Sequence, residues 1–322
     1  MSLQIIKQAS LTGTSCLGYS NSSKNEHFVW RPEDDAPFTD AQHLSYLNNL
    51  GFRAWSTRNP LAELHSALEQ VQDVTGYRIA DRPGDWNGGS FALPTGEVFC
   101  PAGVTPASIA FKPRRQARAP RASLRRWKRT VAVAVLEQPV LLTCLAVAFA
   151  ALLRSIVGQT QPTVIQLCGP SSSHVSVAGK LIASLFEPPE GNAGIYFTTC
   201  RALHEHSTAR VYGGLATVIS EISLHMARLS SGQRANAAVD IIEAMRSAGA
   251  VVMIDRVPVA ATIPDSPEIV AELDERVTTI LIASDREHGV FDSVPEGVAS
   301  STDFARYLSA AAARSCGQAG RH

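Results

Sequence analysis

The sequence predicts an α/β fold, with a largely parallel sheet and flanking helices in its second half and a small α+β region before them. Three observations carry this. Short apolar runs alternate with helical patterns between residues 163 and 283, the signature of strands joined by crossover helices. Two helical patterns at 41–74 give way to short, glycine-rich apolar runs at 77–103. A strand-like run ends in Gly169, and a helical pattern opens at Ser176, which is the spacing of a phosphate-binding loop.

Taken in chain order, residues 1–40 are polar, with Asn-Ser-Ser-Lys-Asn at 21–25 and Pro-Glu-Asp-Asp at 32–35, and are expected to form an irregular lead-in. A small α+β region follows over 41–111. Its first helix carries Leu44, Leu47 and Leu50 on one face and stops at Gly51. Its second opens with Asn59 as N-cap and Pro60 at the first helical position. Residues 77–103 read as a small β segment with a hairpin turn at Pro94-Thr95-Gly96. Residues 112–130 are a basic linker and helix start, and 131–322 form the main α/β domain. Within it TVIQLCG (163–169), LATVIS (215–220), AVVMI (250–254) and TTILIA (278–283) are expected strands, and AGIYF (193–197) a further strand. VAGKLIASLF (177–186), ANAAVDIIEAMRSA (235–248) and a last segment opened by Ser301 or Thr302 and closed at Gly317 are expected helices.

Composition narrows the function classes. The chain has 322 residues, 45% hydrophobic and 18% charged, which suits a globular protein with one large core or two modest ones. Its formal net charge is zero, so any nucleic-acid contact must come from a local patch. None of the six cysteines lies at CxxC spacing, which argues against a zinc ribbon and for reduced thiols in a cytoplasm, with Cys144 and Cys168 as core residues. The start MSLQIIKQASLTG lacks the basic and apolar blocks of a signal peptide. Val140–Leu153 is apolar for 14 residues. A membrane span needs about 20, so a buried core helix is expected and no membrane association.

The main chemical signal is TVIQLCGPSSSHVSV. In the frame GxxxxGK[ST], Gly169 and Ser176 hold their places, His174 stands at the second glycine and Val175 at the lysine. Such loops wrap phosphates with backbone N–H groups at a helix N-terminus, the lysine adds a point charge and the hydroxyl holds magnesium. Gly169, Ser171, Ser172, Ser173, His174, Val175 and Ser176 are therefore a degenerate nucleotide site, with no resident cofactor and at most weak binding of ATP and magnesium. Losing a charged contact to phosphate costs about 1.5–3 kcal/mol. The acid of such a site ends a strand. Ser220-Glu221 and Asp255-Arg256 are the two candidates, and the second has the cleaner pattern. Lys180, five residues past Val175, is expected to point away from the loop.

Ordered matches then suggest a family. Tyr77–Trp86 with Phe91-Ala92-Leu93-Pro94, Leu124–Lys128, Gly169–Ser173, Thr198-Thr199 with Ala202-Leu203-His204, His288–Asp292 and Phe304–Leu308 follow one another along the chain. Together they resemble the domain-of-unknown-function 927 group, found in the helicase-like half of phage and plasmid primase-helicase proteins. The resemblance runs from about Leu44 to Gly320. It implies a P-loop, RecA-like or AAA-like ATPase fold, ring assembly and handling of single-stranded DNA. It also favours Ser220-Glu221 as the acidic position, with Ser220 replacing the magnesium-linked aspartate and Glu221 left as a residual catalytic acid. The departures fall on His174, Val175 and Ser220, so the resemblance implies a helicase relative impaired in hydrolysis.

Residues 112–129 hold nine positive charges and no acid. Lys112, Arg114, Arg115, Arg118, Arg121, Arg125 and Arg126 are the candidate nucleic-acid contacts, with an acidic protein partner as the competing reading. Trp127 would stack a base or pack in the core; the resemblance places it in a structural helix. His204 and His206 flank Glu205 without a third ligand at metal spacing. The expected function is a nucleic-acid-binding or regulatory subunit of a mobile element, partnered by DNA or by a homologous helicase or primase subunit in a homo- or hetero-oligomer. The alternatives are an active ATP-dependent DNA helicase and an interaction protein that inhibits a homologous helicase ring or other host machinery.

Overall fold

The computed structural model describes residues 3–21, 28–33, 39–49, 59–111, 123–159, 161–186, 197–206, 214–263, 266–283 and 285–315. The chain divides into two compact units, Met1–Gln116 and Ala117–His322.

In the first unit, β1 (Leu3–Ala9), β2 (Ser15–Asn21), β3 (Val29–Pro32) and β4 (Gln72–Asp73) form a sheet in the order β3-β2-β1-β4. Residues 1–40 are thus not an irregular lead-in. The adjacent Ile5 and Ile6 of β1 point to opposite faces, as alternation along a strand requires, and both are buried. Ile5 packs with Tyr19, Leu47 and Leu64, which brings in helices α1 (Asp40–Asn49) and α2 (Pro60–Glu69). Ile6 packs with Cys16, Trp30 and Ile79. A sheet covered on both sides shows no polar–apolar alternation, which is why the pattern did not read as strands. Asn59 caps α2 by accepting from the Ala62 amide at 3.3 Å, and Pro60 takes the first position. Strands β5 (Ile79–Ala80) and β9 (Ser108–Ile109) pair in parallel, and β6 (Asp85–Asn87), β7 (Ser90–Ala92) and β8 (Val98–Phe99) form an antiparallel meander. Its second turn is the expected one, with the Gly96 amide on the Leu93 carbonyl at 2.9 Å.

The second unit opens with α3 (Leu124–Trp127), one π-helical turn at Lys128–Ala132, α4 (Val133–Val135) and α5 (Pro139–Leu153). Helix α5 buries Leu141, Cys144, Leu145, Ala148 and Ala151. Among the described residues no helix is long and apolar enough to cross a membrane. The buried Gln138 side chain ties the start of α5 to the 292–293 backbone, accepting from Asp292 N at 2.8 Å and donating to Ser293 O at 3.1 Å.

The chain then alternates β10 (Thr163–Cys168), α6 (Ser176–Ala183), β11 (Phe197–Thr199), α7 (Cys200–His206), β12 (Ala216–Ser220), α8 (Ile222–Met226), α9 (Ser231–Ser247), β13 (Ala250–Asp255), α10 (Pro267–Arg276), β14 (Val277–Leu281) and α11 (Ser301–Arg314). The five strands form one parallel sheet in the order β11-β12-β13-β10-β14. All residues of β12 and β13 are buried, as expected for strands covered on both faces. The N-cap of α11 is Ser300, one residue before the expected position, with its hydroxyl accepting from Asp303 N at 3.1 Å; Gly317 lies outside the described residues. Burial pushes the thiols of Cys144, Cys168 and Cys200 up to about 12, so they stay protonated core residues. His204 lies on helix α7, with Nδ1 2.5 Å from the Asp240 carboxylate.

From β10 the chain moves three strands outward to β11, whereas from β13 it crosses β10 to reach β14. The carboxyl ends of β10 and β13 therefore flank the point where the direction of winding reverses, and ligands of open α/β sheets bind at such points.

Candidate nucleotide-type phosphate site

Cys168 and Asp255 pair in register at the ends of β10 and β13, and the Gly169 amide donates to the Asp255 carbonyl at 3.1 Å. The chain then turns back as a 3₁₀ segment over Ser171–Ser173. The Ser173 amide and hydroxyl both donate to the Pro170 carbonyl, at 2.9 and 2.6 Å. Gly169 is required by this tight turn: a Cβ there would lie 2.5 Å from Ser173 Oγ.

His174 occupies the position of the second glycine with φ 57° and ψ 22°, a left-handed conformation. Only glycine adopts this freely, though histidine tolerates it better than most residues. The imidazole lies against Phe291, with ring centroids 5.8 Å apart and planes at 26°. Burial lowers its pKa, which favours the neutral ring. Helix α6 starts at Ser176 without a side-chain cap; the Val177 and Ala178 amides of its first turn donate to the His174 and Val175 carbonyls, at 3.0 and 3.1 Å.

A second segment fixes the loop from outside. The Val290 amide donates to the Ser173 carbonyl at 2.7 Å, and Gly289, at φ 62°, lies so close that a Cβ would sit 2.5 Å from Ser173 Cα and O. Phe291 in turn packs on Phe304 of α11, with centroids 4.9 Å apart.

Loop and strand ends enclose a cavity of about 600 Å³. Gly169, Ser171, Val175 and Ser176 line it, opposite Ser220, Glu221, Asp255 and Arg256. Both candidate acids are therefore brought to the same space. Asp255 is buried and accepts from Ser223 N and Arg256 N, each at 2.6 Å, and from the Ser223 hydroxyl. It fixes the start of α8. Glu221 is exposed and left-handed at φ 58°. His174 and Glu221 are the two non-glycine residues with positive φ among those described, and both flank the loop region. Strained backbone of this kind concentrates at functional sites. The Ser220 hydroxyl is turned to the Thr198 carbonyl, 3.4 Å away. Val175 is 8% exposed and brings no charge.

Lys180 borders this cavity and a second one of about 480 Å³ between α6 and α11, and its ammonium is turned to α11, with Nζ 3.5 Å from Ser309 Oγ. Arg256 is a further cation at the rim that the strand-acid pattern did not single out. The Gly289–Phe291 clamp was also missed as a site feature, although the glycine in His-Gly-Val-Phe was a visible signal for close backbone approach. Among the candidate nucleic-acid contacts, Lys112, Arg114, Arg115, Arg118 and Arg121 lie outside the described residues. Arg125 and Arg126 are exposed on α3. Trp127 belongs to the core, with its indole N–H donating to Ser184 Oγ at 3.3 Å.

A family model described as "Domain of unknown function (DUF927)" matches residues 8–216. The chain belongs to the DUF927 family. No curated protein matches it. The chain is similar in structure to the protein solved as "SCCmec type IV Cch - active helicase", at TM-score 0.58 and 14% identity over 99% of this chain and 59% of that one. At such identity the likeness establishes a helicase-like fold. The NrS-1 C-terminal region, residues 305–718, aligns at TM-score 0.34 and 10% identity over 96% of this chain and 64% of that one. This DUF927 chain thus spans less than two thirds of the length of either structure.

Proposed function

We propose that this chain is a helicase-like protein of a mobile element that has lost ordinary ATP hydrolysis and serves as a nucleic-acid-binding or regulatory subunit. The observation that carries the reading is the combination at residues 174–175. The loop keeps the left-handed turn and uncapped helix end that suit a phosphate, yet the position that should grip it holds a buried valine. Phosphoryl transfer depends on positioning and on charges aimed at the phosphates. A loop with the shape but not the charge retains a weak anion site and loses rate. The test is ATP turnover with and without single-stranded DNA. The expected result is no turnover above background. Turnover on the order of one per second that disappears in Glu221→Gln would overturn the proposal.

A second reading is an active ATPase whose cation comes from Lys180, supported by the placement of that residue on the cavity wall. Helical side chains lean toward the N-terminus, so on this reading the Lys180 ammonium leaves Ser309 of α11 and swings to the loop when a triphosphate enters. Under this reading Lys180→Ala abolishes both nucleotide binding and turnover. Under the first, turnover is absent before the substitution is made.

A further inference from the structure

Away from the loop, a cleft of about 340 Å³ is lined by Ser123, Arg125, Arg126, Arg129 and Thr130. All three guanidinium side chains belong to exposed residues, and among the described residues no carboxylate pairs with any of them. Like charges one helical turn apart destabilise a helix, so folding alone gives no reason for this arrangement. The backbone beneath is rigid. Trp127, Val131 and Val135 are buried and anchor the segment. The π turn at Lys128–Ala132 is tied to α11 and the residue after it, by Tyr307 OH donating to Thr130 O at 3.4 Å and by the Thr130 and Ser315 hydroxyls 3.2 Å apart. Single π turns inside helices recur at functional sites.

We propose that this cleft is a phosphate cradle for the backbone of single-stranded nucleic acid. The inference rests on the nucleic-acid part of the proposed function and assigns it a place. Guanidinium forks match phosphate oxygens. The Ser123 oxygen accepts from Arg126 N at 3.4 Å, which leaves its hydroxyl proton free to donate outward. Three cations and a hydroxyl line this one cleft, and their charge suits a strand of successive phosphodiesters. In sequence, 112–129 carries nine positive charges and no acid, and a run of that composition suits a polyanion rather than an isolated ion.

The experiment is fluorescence anisotropy of a labelled single-stranded oligonucleotide with the full chain across a salt series. Wild type is compared with Arg125→Ala/Arg126→Ala/Arg129→Ala and with the same three positions changed to lysine. Each neutralised contact removes about 0.7 from the slope of log K against log salt for a single strand, so the alanine variant is expected to lose about 2 from the slope. The lysine variant keeps most of the slope because the charge stays. All three sites are exposed, and a melting temperature equal to wild type verifies that the fold is intact. Wild-type binding with an unchanged slope in the alanine variant overturns the cradle and leaves the wider function standing. No binding by wild type overturns the cradle together with the nucleic-acid part of the proposed function. Displacement of the oligonucleotide by polyglutamate at equal charge concentration overturns the cradle in favour of an acidic protein partner.

Discussion

Replacing Gly289 by alanine tests whether the 289–291 segment holds the phosphate loop in place. The new Cβ would sit 2.5 Å from both Ser173 Cα and Ser173 O and 2.7 Å from Ser173 C, and these are backbone atoms that no rotamer change moves aside. The residue would also have to keep φ near 62°. Left-handed backbone costs a non-glycine residue about 1–2 kcal/mol, and overpacking a close contact adds about 1–3 kcal/mol. The segment can escape the clash only by opening, which forfeits the 2.7 Å bond from Val290 N to Ser173 O, worth about 1 kcal/mol, and the packing of Phe291 on His174. The expected destabilisation is therefore about 2–5 kcal/mol. In a unit of this size each kcal/mol lowers Tm by about 2–4 °C, giving a drop of roughly 4–20 °C by calorimetry. Gly232→Ala is the control. No atom lies within 4 Å of its added Cβ and it sits in the first turn of α9, so it should be neutral or slightly stabilising. A Gly289→Ala melting temperature within about 2 °C of wild type would refute the clamp.

Two further outcomes follow from the same loop. Val175→Lys restores the missing cation on the cavity wall and should tighten magnesium-ATP binding by about 10- to 150-fold, the equivalent of 1.5–3 kcal/mol; an unchanged affinity by titration calorimetry would show that the cavity does not take a triphosphate. Because burial lowers the pKa of His174, the folded state holds its proton less tightly than the unfolded chain does. Stability from this residue is present above the unfolded value near 6.5 and is lost as pH falls below it toward the folded pKa. His174→Asn, which keeps a residue tolerant of positive φ, should flatten that part of the unfolding profile below about pH 6.5, and equal slopes in both proteins would contradict the assignment.

What the sequence discloses depends on how local the cause is. Strands β10, β12 and β13 and helices α6 and α9 are legible because each is an uninterrupted apolar run or a periodic face bounded by its own caps and glycines. The first two strands are not, since Ile5 and Ile6 serve two different cores on opposite faces, and neither partner is near in sequence. The loop frame from Gly169 to Ser176 is legible from spacing alone. The accommodation of His174 is not, because the ring rests on Phe291 and the loop carbonyl on Val290, both contributed by a segment beyond the last strand. Counting residues along α6 places Lys180 past the loop, but it does not disclose that the ammonium meets Ser309 of α11, a residue distant in sequence.

The loop's shape is not free. His174 and Glu221 each hold a backbone conformation that costs about 1–2 kcal/mol for a residue with a Cβ, and Gly289 is pressed into contact to support one of them. A plain polar turn between β10 and α6 would have no need of this; with no ligand to satisfy, substitutions relaxing φ at either position would raise stability. The lysine, by contrast, contributes only through its charge and leaves no trace in the packing once it is replaced by Val175. Under the proposed function, shape and charge at this site are separable: the chain keeps the left-handed turn and holds a buried Val175 where the loop frame calls for a lysine. On the same proposal, that division favours recognition over turnover at the switch point of a helicase-like sheet, with the 289–291 segment linking the loop to α11 through Phe291 and Phe304.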